Sequence, residues 1–124
     1  MQMKKFRIAI PTNGDKGLED DVSHNLGRSK TITILDVVDG EVQKVKVLSN
    51  PAMSYKFGAG PIVVKTLVDM KVDVVASSEF GLGASALLDD QKMVKVNVNP
   101  GTKVRKTIKT AITQLNLKVN RLQD

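Results

Sequence analysis

The dipeptide Asp39-Gly40 constrains the fold of this chain more than any other feature. It lies between two segments rich in alternating and β-branched residues, Thr31–Val38 and Glu41–Leu48, each long enough for a strand. Asp-Gly is typical of a two-residue hairpin turn, in which both residues take a positive φ. The two segments are therefore predicted to pair as antiparallel strands.

Three further strands and three helices are predicted around this hairpin. The strands are Phe6–Ile10, which alternates in hydropathy, and the short apolar segments Val72–Ala76 and Met93–Val98. Apolar residues at helical spacing predict helices over Pro61–Met70, Gly83–Gln91 and Val104–Leu115, the last with Thr102 as its N-cap. Residues 117–124 either extend the last helix or form a tail.

The order β-β-β-α-β-α-β-α predicts a single α/β domain over residues 1–124. We expect one mixed five-stranded sheet with three helices covering its faces, because a hairpin is followed by β-α-β crossovers. Ile8, Ile10, Val74 and Val75 are predicted to be buried in this sheet.

Composition excludes several classes of function. The chain has 124 residues and no Cys, so one chain contains neither disulfides nor Cys-ligated zinc or iron–sulfur centres. Met1–Phe6 has no apolar segment typical of a signal peptide, and no apolar run approaches the ~20 residues of a membrane helix. We therefore expect a cytoplasmic protein without membrane contact. The formal charge of +6 permits a polyanionic partner without requiring one.

The segment Ser23–Arg28 is the first candidate for a ligand site, since it contains the only histidine and an arginine directly after a glycine. Two Gly-rich turns follow, Gly58–Pro61 and Phe80–Gly83. Such turns can gather at one edge of an α/β sheet, so the glycines of all three segments are predicted to lie at the same end. The residues assigned to this site are Ser23, His24, Asn25, Gly27, Arg28, Gly58, Gly60 and Gly83.

Each candidate residue also has a structural interpretation. His24 is either a metal ligand or an ordinary loop histidine, since one imidazole without Cys makes a poor metal site. Arg28 either binds an anion with its planar guanidinium or pairs with Asp20 or Asp21 to fix the loop. The glycines either let backbone N–H groups approach an anion at helix N-termini or only serve the turns.

Two other features of the sequence bear on function, its carboxylates and the basic start of the last helix. A two-metal nuclease needs carboxylates that converge from strand ends, and the first strand, Phe6–Ile10, carries none. Lys103, Arg105 and Lys106 place positive charge in the first turn of the last helix, where the helix dipole disfavours it. That charge indicates either an anionic partner or a solvated basic face.

The ordered set of motifs resembles the dinitrogenase iron-molybdenum cofactor biosynthesis family, which includes NifX, NifY and the C-terminal domain of NifB. The motifs are, in chain order, Arg7–Pro11, Ser23–Arg28, Asn50-Pro51, Gly58–Pro61, Val72–Ala76, Leu82–Ala86 and Gly101-Thr102. The resemblance implies a ribonuclease-H-like α/β fold and a role as a carrier of iron–molybdenum cofactor or its precursor.

The Ser23–Arg28 loop departs from the family pattern, which usually reads Ser-x-His-Phe-Gly-Arg. Asn25 stands at the histidine position, and His24 lies one residue earlier. The resemblance implies a non-catalytic monomer or homodimer that carries an iron-containing cluster, with His24 as metal ligand and a cluster donor or acceptor protein as partner. The alternative is a basic adaptor that binds a protein, or less favourably nucleic acid, through the last helix and without metal.

Overall fold

The structure is a computed structural model that describes residues 5–123. The side chains of Leu82 and of residues 117–123 are outside this description. The strands are β1 (Lys5–Thr12), β2 (Thr31–Val38), β3 (Glu41–Ser49), β4 (Val74–Ser77) and β5 (Val94–Asn97). The helices are α1 (Ala59–Asp69), α2 (Leu82–Asp90) and α3 (Val104–Gln123), with a short 3-10 helix at Gly17–Glu19. The predicted element order is confirmed, and α3 continues through residues 117–123; Asp124 lies outside the described residues.

The five strands form one mixed sheet in the order β3-β2-β1-β4-β5. β2 is antiparallel to both of its neighbours, whereas β1, β4 and β5 are parallel. This is the ribonuclease-H-like arrangement that the resemblance implies. The hairpin between β2 and β3 turns at Asp39 and Gly40, whose φ angles are 51° and 83°, as a tight turn of this kind requires.

Each face of the sheet has its own core, because successive strand residues point to opposite faces. On β1, Ile8 and Ile10 pack with α3, while Ala9 between them packs with α1 and α2. On β4, Val74 packs with α3 and Val75 with α1 and α2. The four residues predicted to be buried have no exposed surface. One helix therefore covers one face, and α1 and α2 lie side by side on the other.

Two residues that are predicted to begin strands lie instead just after the ends of helices. Val72 follows α1 and Met93 follows α2, and the N–H of each donates to a carbonyl five residues earlier, at 3.0 Å in both cases. The residues before them, Lys71 and Lys92, are left-handed, with φ of 59° and 60°. This is the Schellman ending of a helix, in which a buried apolar side chain follows the left-handed residue. Val72 and Met93 are therefore apolar because each is the buried residue that completes the end of a helix, not because it begins a strand.

The predicted N-cap of the last helix is also wrong by one residue. α3 begins at Val104, and the carbonyl of Lys103, not that of Thr102, accepts its first intrahelical bond, from the N–H of Thr107 at 2.9 Å. The N–H of Val104 donates to the carbonyl of Asp20 at 2.9 Å. The loop after β1 therefore caps this helix from outside, which a local sequence pattern does not reveal.

Candidate functional site

Three segments that are distant in sequence meet at one open cavity of about 350 Å³. They are the Ser23–Arg28 segment, the chain leading into α1 and the turn leading into α2. The first and third are tied together, because Leu26 N–H donates to the carbonyl of Glu79 and Glu79 N–H donates to that of His24, both at 3.1 Å. The lining residues are Asn25, Gly27, Arg28, Lys56, Phe57, Gly58, Ala59, Gly60, Pro61, Phe80, Gly81, Gly83 and Ala84.

Six of the eight predicted site residues line this cavity, and Ser23 and His24 do not. Ser23 N–H donates to the carbonyl of Pro11 at 2.8 Å, so Ser23 continues the contact of its loop with β1. His24 is exposed. Of His24 and Asn25, it is Asn25, at the position of the family's histidine, that lines the cavity. Its Oδ1 accepts the N–H of Gly27 at 2.8 Å.

The first turns of α1 and α2 bring backbone donors to the cavity. Their N-cap residues, Gly58 and Gly81, supply no side-chain acceptor. Among the hydrogen bonds described for the chain, none has a donor in the N–H groups of Ala59, Gly60, Gly83 and Ala84. Unpaired N–H groups and the positive ends of two helix dipoles favour a negatively charged ligand at this place.

The two helix starts are in direct contact at Gly60. A Cβ atom at residue 60 would lie 3.1 Å from the backbone nitrogen of Ala84 and 3.2 Å from its Cβ. The absence of a side chain at Gly60 therefore lets both N-termini reach the same cavity. Pro61 stands in the third position of α1, not the first as predicted, and its missing N–H removes no helical bond because the first turn leaves that group unpaired.

Arg28 holds a neighbouring loop rather than an acidic residue. Its guanidinium donates from Nη1 to the carbonyl of Tyr55 at 2.5 Å and from Nη2 to the carbonyl of Lys56 at 2.7 Å. The predicted structural pairing with Asp20 or Asp21 is wrong. The carboxylate of Asp20 accepts three backbone N–H groups of its own loop, and that of Asp21 binds a lysine at the start of α3.

The cavity lining supplies positive charge but no side chain that ligates metals strongly. It contains the cations Arg28 and Lys56 and, among the residues described there, no carboxylate, imidazole or thiol. Among the residues whose side chains the structure describes, no group of three or more His, Asp or Glu side chains is placed to hold a metal ion. The polar side chains of the lining are those of Asn25, Arg28 and Lys56. The lining also offers no carboxylate or histidine for acid–base catalysis.

A second charged cluster lies at the opposite end of β1 and has a structural role. Arg7 donates from Nε to Oδ1 of Asp36 at 2.7 Å and from Nη1 to the carbonyl of Met70 at 2.5 Å. The hydrogen bond from Arg7 lowers the pKa of Asp36, and the same bond raises the pKa of Arg7. The cluster joins β1 and β2 to the end of α1.

The strand order defines a ribonuclease-H-like fold, and the cavity lined by the segments that follow β1 and β4 is its candidate anion site. The model of the dinitrogenase iron-molybdenum cofactor family matches residues 4–114. The chain therefore belongs to that family, as its motifs predict.

Solved structures share this fold. The apo form of the orange protein from Desulfovibrio gigas is 20% identical, with a TM-score of 0.78 over 93% of this chain and 92% of that one. A candidate NifB protein of the DUF35 family from Thermotoga is 28% identical, with a TM-score of 0.69 over 88% of each chain. A candidate dinitrogenase from Methanocaldococcus jannaschii is 19% identical, with a TM-score of 0.68 over 90% and 92%.

No curated protein matches the sequence. Within the described part of the chain, no helix has both the length and the apolar character needed to cross a membrane.

Proposed function

We propose that this protein binds an anionic iron-containing cluster, of iron–molybdenum or iron–sulfur type, or the precursor of one, and passes it to a partner protein without catalysis. Membership of the dinitrogenase iron-molybdenum cofactor family supports a role in handling such a cofactor. The observation that carries the proposal is the cavity where the N-termini of α1 and α2 meet Arg28 and Lys56.

The charges around the cavity support an anionic cargo. Two helix N-termini contribute partial positive charge and backbone donors, and Arg28 and Lys56 contribute two full charges. Metal–sulfur clusters whose terminal sites carry sulfur or oxygen ligands are negatively charged at their surface. Backbone N–H groups and an arginine form charge-assisted hydrogen bonds to such atoms.

The donor set supports a carrier rather than an enzyme. Because the lining has no Cys, His, Asp or Glu, a cluster held there keeps the ligands with which it arrives. Weak, replaceable contacts of this kind suit transfer to an acceptor protein. They do not supply the positioned acid, base or nucleophile that a reaction would require.

That His24 is a metal ligand remains a prediction. A cluster-loading experiment distinguishes it from binding at the cavity. The protein is titrated anaerobically with a synthetic four-iron cluster capped by small thiolates, followed by gel filtration and iron analysis. If the cavity holds the cargo, Arg28→Ala weakens loading by roughly tenfold or more, since hydrogen bonds to charged groups contribute about 1.5–3 kcal/mol. His24→Ala and the remote control Lys106→Ala then load like wild type.

The outcomes separate the two hypotheses. Loss of loading in His24→Ala alone would show that the imidazole is the ligand and that the cavity mode is wrong. No uptake of iron by wild type would refute the carrier function itself.

The adaptor alternative rests on the basic start of α3, and two of its cations have partners within the chain. Arg105 Nη2 lies 2.6 Å from Glu19 Oε1, and Lys103 Nζ lies 3.0 Å from Asp21 Oδ1. These acidic residues offset the charge that the dipole of α3 disfavours, so an external anion is not needed to explain it. Binding to duplex DNA that weakens steeply with added salt would favour the adaptor instead.

A further inference from the structure

The loop that leads into α1 carries a short exposed segment, residues 53–57, which we call the strap. Three of its side chains are large and apolar, yet Met53, Tyr55 and Phe57 are 53%, 52% and 88% exposed. Tyr55 is the only tyrosine of the chain, and Phe57 is one of three phenylalanines. Such a concentration of aromatic surface on one polar loop needs an explanation, because single exposed apolar residues are common but clusters of them are not.

Both ends of the strap are fixed. On one side, Asn50 is buried, and its Nδ2 donates to the carbonyl of Leu26 at 3.1 Å while its Oδ1 accepts the N–H of Ala52 at 2.9 Å. On the other side, Gly58 takes a left-handed conformation, with φ of 74°, and is the N-cap residue of α1. A change in the conformation of residues 53–57 would therefore leave these two ends, and the cavity residues beyond them, in place.

The strap also contributes to the cavity wall. Lys56 and Phe57 line it together with Arg28, whose guanidinium donates to the carbonyls of Tyr55 and Lys56. Two cations, one on the scaffold and one on the strap, thus border the same space. Their mutual repulsion is relieved when a negative charge lies between them, and that charge attracts both.

We propose that residues 53–57 close over the bound cargo, with the ammonium group of Lys56 binding the anion and the ring of Phe57 covering it from water. The inference rests on the proposed carrier function and adds two residues to its site. Arg28 has five N–H donors, so it keeps its bonds to the strap carbonyls and still has donors for the anion. On this proposal, Phe57 is exposed because the cover is open until the cargo binds.

Hydrogen–deuterium exchange read by mass spectrometry tests the closure, with iron content measured on the same samples. The probe is the synthetic four-iron cluster capped by small thiolates, under anaerobic conditions. We expect loading to slow exchange of the amides in residues 53–57 by about tenfold or more, because closed segments are protected from solvent. Lys56→Gln should bind cluster roughly tenfold more weakly and lose the slowing. Lys56→Arg should restore both, and Lys106→Gln, remote on α3, should match wild type.

The failures are distinguishable. Wild type that takes up iron but shows unchanged exchange in residues 53–57 would overturn the strap and leave the carrier function standing. Slowing that persists in Lys56→Gln would show that Lys56 does not close it. Wild type that takes up no iron would overturn both proposals, whereas slowing that depends on Lys56 supports both.

Discussion

Replacing Gly60 with alanine tests whether the contact between α1 and α2 requires a residue without a side chain. The added methyl group would lie 3.1 Å from the backbone nitrogen of Ala84 and 3.2 Å from its Cβ. Because that nitrogen belongs to the backbone of α2, it cannot rotate away as a flexible side chain would. Overpacking costs about 1–3 kcal/mol, and replacing glycine by alanine offsets about 0.4–1 kcal/mol of this. The difference between these two ranges is about 0–2.6 kcal/mol, and we expect a net loss near the middle of it, about 1 kcal/mol, in the free energy of unfolding.

Gly83→Ala is the matched control, because Gly83 holds the same second position in α2 that Gly60 holds in α1. A Cβ atom at Gly83 meets no atom within 4 Å, so we expect a gain of about 0.4–1 kcal/mol. Urea unfolding followed by circular dichroism measures the free energy of unfolding of both variants. Because this free energy falls by about 1–3 kcal/mol per molar urea, the two midpoints should differ by about 1 M. Equal midpoints for the two variants would refute the reasoning.

Two further predictions concern the scaffold. Asp36→Asn should lower the free energy of unfolding by about 1 kcal/mol at neutral pH. Because Arg7 lowers the pKa of Asp36, the stabilisation by this pair is fully present above the pKa of the unfolded state, about 3.9. It disappears as the pH falls through the lower pKa of the folded state. Urea midpoints of wild type and variant should therefore converge below about pH 4, and a constant difference would contradict the role of the pair. Asn50→Ala should lose about 2–3 kcal/mol in the same assay, because the carbonyl of Leu26 and the N–H of Ala52 are left buried without a partner. A loss below about 0.5 kcal/mol, the usual effect of an exposed substitution, would argue against this.

Most of the fold could be predicted from local patterns because those patterns and the tertiary structure agree. The hairpin at Asp39-Gly40 needs only two residues with positive φ, and both are present where the pattern places them. The ends of α1 and α2 could not be predicted, because Lys71 and Lys92 adopt a left-handed conformation that glycine usually supplies. The start of α3 depends on the carbonyl of Asp20, a contact between residues distant in sequence.

The candidate site was predictable where it depends on topology and not where it depends on side-chain partners. General rules for α/β sheets bring the glycine-containing turns to one edge, and Gly27, Gly60 and Gly83 border one cavity. The partner of Arg28 is a pair of backbone carbonyls, which no sequence pattern encodes. Lys56 and Phe57 line the cavity but are not among the predicted site residues, although aromatic residues in a polar loop of a chain with 3% aromatics are a usable signal.

Asn25 stands at the position of the family's histidine, and the effect of this difference depends on how far the proposed site uses backbone groups. Asn25 closes its own turn by accepting the N–H of Gly27, so the residue at this position shapes the loop that carries Arg28. Most of the donors that the proposal assigns to the cargo are main-chain N–H groups, which every residue except proline supplies. A change of side chain at position 25 therefore acts on the proposed anion site through the shape of this loop and not through the loss of a ligand. A methyl group at Gly60 or the loss of charge at Arg28 and Lys56 changes its shape or its field directly. Selectivity for cargo in this chain should then depend on those three positions more than on an imidazole.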